Sequence, residues 1–139
     1  MSTLAPQRCR DWQARLQAFV CSRLHMPFEW GSNDCCLFVA DGVRAITGHD
    51  PAADVRGKYR TERGALRMIQ RFGGLQAIGA ARFGAEIAPA FAQAGDVGLL
   101  TIDDRQSLAL CAGDGWIGAG AQGLVRAPLA AATMAWRCV

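Results

Sequence analysis

The sequence predicts an α+β domain in which N-terminal helices pack on a C-terminal antiparallel β-meander. Three observations carry that expectation. Apolar residues recur at helical spacing as far as Arg82; short apolar runs broken by Gly, Asp and Pro follow Pro89; and 139 residues suit one domain. Helices first and strands afterwards give segregated layers. Residues 1–139 are thus expected as one unit: an N-terminal helix within 1–26, a helical half over 34–85 and a sheet half over 95–139.

In the first helix, Trp12, Leu16, Phe19, Val20 and Leu24 share one face, opposite Arg10, Arg15, Gln17 and Arg23. Pro27 ends it near His25, because the residue before a proline is pushed out of helical geometry. Residues 27–33 read as a tight loop. Asp34 is a good N-cap for a second helix with Cys35, Phe38, Val39, Gly42, Val43 and Ile46 on one face, and Gly48 is its terminator. Residues 49–60 read as irregular. A third helix is expected over 61–72 with Leu66 and Ile69 inward, stopped by Gly73-Gly74, and a short one over 75–82. Strands are expected at 97–102, 107–112, 116–119, 124–126 and 134–139.

Composition removes several function classes. Half the residues are hydrophobic and 19% charged, which excludes a disordered chain. A net charge of +3, scattered along the chain, is too weak a footprint for nucleic acid. No apolar run approaches the roughly 20 residues of a membrane span. The first ten residues lack a basic segment leading into an apolar one, so no secretory signal is expected and synthesis in the cytoplasm is. The six cysteines include no C-x-x-C, so neither metal nor cofactor is expected. Cys9 and Cys21, placed along one helix, would lie about 18 Å apart, and adjacent Cys35 and Cys36 would bridge only with strain. Reduced thiols are the expectation.

The chemistry concentrates in Trp30-Gly31-Ser32-Asn33-Asp34-Cys35-Cys36. A thiol in the first turn of a helix sits among unsatisfied N–H groups at the positive end of the macrodipole, and both favour the thiolate. The same N–H groups can hold a developing oxyanion. Gly31 lets the loop approach closely, and Trp30 can wall a groove. Against this stands the plain reading of Cys35 as a core residue on an apolar face. Asp103-Asp104 and Gly113-Asp114-Gly115 read as turns between strands. Arg56, Arg60, Arg63 and Arg67, with Arg71 beyond them, form a basic stretch: a solvated face, or one meeting an acidic partner. Trp12, Trp30, Trp116 and Trp136 read mostly as core or groove residues.

Asp34-Cys35 opening a helix, Gly95-Asp96-Val97 some sixty residues later, and a following meander resemble the NlpC-type peptidases, papain-like cysteine hydrolases of bacterial cell-wall peptides. The likeness is closer to a group of small phage and prophage proteins. It rests on Phe28-x-Trp30-Gly31-x-x-Asp34-Cys35, Thr47-Gly48-x-Asp50-Pro51, Gly57-x-Tyr59-Arg60, Gly95-Asp96-Val97, Gly123-Leu124 and Ala135-Trp136-Arg137. The resemblance implies a papain-like fold with Cys35 at the nucleophile position, Asp34 as helix cap, and Gly95 and Asp96 opening the first strand. It also puts Ser107 where the histidine base belongs, Ala119 (between Gly118 and Gly120) where the residue orienting that base belongs, and Cys36-Leu37 in place of the usual Ser-Gly. His25 and His49 are the only replacement bases the chain offers. The implied role is a catalytically degenerate phage tail-tip component, made in the host cytoplasm, assembled into the virion tail and docked on the tail hub or other tip proteins. The alternative is an active endopeptidase acting on peptidoglycan.

Overall fold

The computed structural model describes residues 7–138. The start of the expected 1–26 segment, most of the stretch read for a signal, and Val139 lie outside the described residues. Among the described residues, four α-helices, α1 (Trp12–Arg23), α2 (Cys35–Thr47), α3 (Glu62–Arg71) and α4 (Leu75–Arg82), precede the sheet. The strands are β1 (Glu86–Ile87), β2 (Val97–Ile102), β3 (Arg105–Cys111), β4 (Gly115–Gly120), β5 (Gly123–Pro128) and β6 (Met134–Trp136). They form one antiparallel sheet in the order β1-β6-β2-β3-β4-β5, so the chain is α+β.

Local chemistry explains the helix bounds. Asp34 in extended geometry caps α2 by accepting from the Leu37 N–H at 3.0 Å, and Gly48 at φ 77° closes it. Thr61 caps α3 by accepting from the Gly64 N–H at 3.1 Å. The Asp103-Asp104 turn holds both residues at positive φ (52° and 61°), the geometry of a two-residue hairpin joining β2 to β3.

The main core lies between the helices and one sheet face. Phe38, Val39, Val43 and Ile46 of α2 meet Val97, Leu99, Leu108, Leu110, Ile117 and Trp136 there. The other face carries Leu100, Ala109, Cys111, Trp116 and Ala135, covered by the single 3-10 turns Pro89–Phe91 and Leu129–Ala131 with their flanks. Chain positions far apart meet at Asp96. Its fully buried carboxylate accepts from the Gln93 and Cys138 N–H groups at 2.9 and 3.0 Å, with Arg8 at 3.5 Å and Arg137 at 3.8 Å. Arg56 bridges Asp41 and Asp50, while Arg23 reaches Asp41 at 2.7 Å, tying α1 and the 49–60 turn to α2.

Several expectations are corrected. α1 starts at Trp12, so Cys9 is not helical; its N–H donates to the Ile46 carbonyl at 2.7 Å. Leu24 lies past the end of α1 and is 40% exposed. Leu66 is 51% exposed: α3 presents Ala65, Met68 and Ile69 inward, and Leu66 sits about 100° round the helix from Ala65. Arg56 belongs to the preceding turn and does not share a face with the α3 arginines. β1 was not expected, β3 begins two residues early, and β6 ends at Trp136.

Gly79 of α4 packs flat on the Trp136 ring, where an added Cβ would lie 2.4 Å from a ring carbon. Gly79→Ala gains about 1 kcal/mol of helix propensity but overpacks a buried ring at roughly 1–3 kcal/mol or more. Because three ring carbons are contacted at once, overpacking wins. Urea denaturation is expected to show a net loss of about 1–2 kcal/mol.

Candidate functional site

The mouth of α2 is organised by the Asp34 carboxylate, which is 2% exposed and accepts three hydrogen bonds. One oxygen takes the Leu37 N–H; the other takes the Gly31 N–H at 3.0 Å and the Tyr59 hydroxyl at 2.6 Å. Burial and this bond push the Tyr59 phenol far above its ordinary range. Gly31 has φ 84°, and a Cβ there would meet the Tyr59 carbonyl at 2.6 Å. Its close approach is therefore to the Tyr59–Arg60 backbone, and the positive φ requires glycine. Asn33, also buried, donates to the Met26 and Pro27 carbonyls and accepts from Arg23.

Cys35 and Cys36 are the first two residues of α2, both half-buried, with sulfurs 3.9 Å apart. The contact with the Cys36 thiol holds Cys35 below its ordinary pKa; the Leu108 and Cys36 backbone amides help, against burial and the Asp34 charge. Cys36 is correspondingly pushed well above its ordinary value, by that same contact, by burial and by the neighbouring charges of Cys35 and Asp34. Of the two thiols, Cys35 is therefore the one that ionises first. Cys36 also lines a small apolar cavity of about 40 Å³ between α2, α3 and α4, with Tyr59, Met68, Phe72 and Arg82 among its walls.

The second part of the site is a gap in the sheet. β3 and β4 are registered only at Leu110–Ile117 and Cys111–Trp116, and beyond these the strands diverge. A cleft of about 350 Å³ occupies the splayed end, lined by Ser107 and Arg105 from β3, Ala119 and Gly120 from β4, and Phe28 from the loop. The structure thus brings Ser107 and Ala119 to one cleft, while Cys35, beside the neighbouring Leu108 amide, is not among its lining residues. The Ser107 hydroxyl makes one long bond, 3.4 Å to the Arg105 carbonyl. Trp30 packs edge-on against Phe28 at 4.7 Å and lies under the Arg105 guanidinium at 5.2 Å, so it stands beside this end of the sheet.

Among the described residues, no hydrogen bond joins Cys35 to an imidazole. His25 is exposed in the turn after α1, where a Cβ on Gly123 would touch it, and His49 is exposed beyond the far end of α2. Gly95 and Asp96 open β2, and Asp96 is spent on the buried knot that joins both chain ends. No group of three or more His, Cys, Asp or Glu side chains gathers to hold a metal among the described residues. Nor is any helix there long and apolar enough to cross a membrane. Tyr59 is the residue the sequence reading left without a role. Its signal was faint, a lone tyrosine inside Gly57-x-Tyr59-Arg60 in a segment read as irregular.

The fold and site define an α+β domain with a cysteine pair at a helix mouth beside a splayed antiparallel sheet. The chain belongs to the family described as a domain of unknown function (DUF6950), which matches residues 7–138. No curated protein matches the chain closely enough to count as a relative.

Two outcomes follow from this geometry. Alkylation of Cys35 by iodoacetamide, followed by peptide mass spectrometry, is expected to proceed below the pH of an ordinary thiol. Cys36→Ala, which removes the S–H donor, moves the rate profile to higher pH and slows labelling at pH 7 by roughly threefold or more. Tyr59→Phe leaves one carboxylate oxygen of Asp34 short of a donor and costs about 1–2 kcal/mol; Asp34→Ala removes cap and acceptor together and costs about 3 kcal/mol or more, both read by urea denaturation.

Proposed function

We propose that this domain is a tail-tip component of a phage or phage-like particle, with a papain-like, NlpC-type fold whose hydrolytic capacity has been lost. On this reading it is made in the host cytoplasm, assembled into the tail, and docks on the tail hub or neighbouring tip proteins. The fold part is supported by the first-turn cysteine of α2, set against an antiparallel sheet whose base and orienting positions share one cleft. The loss of activity is carried by one observation: the Cys35 sulfur has a second thiol and backbone amides as partners, and no imidazole.

Peptide hydrolysis needs a group that takes a proton from the nucleophile and returns it to the leaving amine. Cys36 cannot do this well, because its raised pKa makes it a poor acid at neutral pH. Ser107 has no titration near pH 7, and the Asp34 oxygens are occupied. Losing one member of such a unit typically removes orders of magnitude in rate.

The second reading, an active peptidoglycan endopeptidase, draws on the lowered Cys35 pKa, which makes its thiolate easier to form than that of an ordinary cysteine. Release of labelled fragments from purified sacculi separates the two. The structural reading expects wild type and Cys35→Ser to be indistinguishable, and tails assembled with Cys35→Ser to remain infective. Fragment release that depends on Cys35 would establish the hydrolase instead.

A further inference from the structure

We propose that the outward face of α3 docks an acidic helical segment of a protein partner. The helix is fixed by its other face: Ala65 is buried, and Met68, Ile69 and Phe72 wall the apolar cavity against α2 and α4. Its start is fixed by the Thr61 cap and by Glu62, which pairs with Arg105 of β3 at 3.0 Å. That pairing takes up the one acidic side chain of α3.

What remains outward is a run of arginines around an apolar centre. Arg63 and Arg67 flank the half-exposed Leu66, with Arg60 before the helix and Arg71 at its last residue. All four are exposed, and among the described residues none forms an ion pair. Elsewhere Arg8, Arg15, Arg23, Arg56, Arg82, Arg105 and Arg137 pair with carboxylates, while Arg10, Arg44 and Arg126, which form no ion pair among the described residues, stand singly in the sequence. Arg60, Arg63, Arg67 and Arg71 are therefore the one closely spaced run of unpaired arginines among the described residues.

Arg63, Arg67 and Arg71 recur every four residues, a rise of about 6 Å per step. Glu or Asp at the same i, i+4 spacing on a second helix matches that repeat, and Leu66 offers an apolar contact between the charges. Neighbouring cations also raise the encounter rate with an acidic surface. Leu66 at the centre of the patch favours a protein partner over a nucleic-acid backbone, which offers no side chain to cover it. The surface is argued from charge and exposure alone and does not depend on the tail reading.

The test uses the full chain and a fluorescein-labelled synthetic helix carrying Glu at i, i+4 around a central Leu, read by anisotropy at about 50 and 300 mM salt. Binding is expected to weaken with salt. The double variant Arg63→Glu/Arg67→Glu should lose about tenfold or more in affinity and Leu66→Ser about threefold, while Arg126→Glu, on an exposed arginine of β5, stays within about twofold. Circular dichroism checks that the variants keep their helix content. Affinity unchanged by the double variant overturns the proposal, as does a DNA duplex or an anionic phosphatidylglycerol vesicle binding the wild type as tightly as the peptide.

Discussion

The arrangement of the site depends on one buried carboxylate. Burying the Asp34 charge would be costly alone, but three donors from three segments meet it: the Gly31 loop, the first turn of α2 and Tyr59 ahead of α3. A hydrogen bond to an ionised group is worth more than a neutral one, and these three also locate the segments relative to one another. The start of α2, and so the position of both sulfurs against β3, follows from that junction. The same engagement removes Asp34 from acid–base work, since both its oxygens are taken.

Much of the fold was legible in the sequence because its signals are local. The spacing of Phe38, Val39, Val43 and Ile46 gave α2, and Asp34 and Gly48 marked its ends through a side chain and through backbone freedom. The strands after Pro89 were legible from their turns, as at Asp103-Asp104. What was not legible is set by distant partners. β1 is two residues long and exists because β6 pairs with it; Leu66 is apolar, yet its position on α3 leaves it outside the buried stripe. Tyr59 acquires its role only when Asp34, 25 residues earlier, is folded beside it.

The Gly95-Asp96 motif shows how a sequence marker can be structural. Asp96 accepts N–H groups on either side of the strand start and faces cations from residues 8 and 137, so it joins the two chain ends to the central strand. Gly95 is held equally tightly, since a Cβ there would press on the Arg8 guanidinium and the Ile46 side chain. Packing and hydrogen bonding are enough to account for both residues.

The cysteine pair carries the remaining argument. A helix mouth, a thiol donor and backbone amides all stabilise the Cys35 thiolate, and each step of stabilisation also makes the sulfur a weaker nucleophile. In a working hydrolase that loss is recovered by an imidazolium that stays beside the sulfur and delivers its proton to the leaving group. In this chain the partner is Cys36, whose pKa is pushed up by the interaction that lowers that of Cys35, so an easier thiolate comes with a weaker acid. The two sulfurs are thus coupled in the direction opposite to the one amide cleavage needs. A thiolate without an acid partner suits exchange with groups that leave unprotonated far better than expulsion of an amine, which is why an easily ionised Cys35 is compatible with a domain that does no hydrolysis.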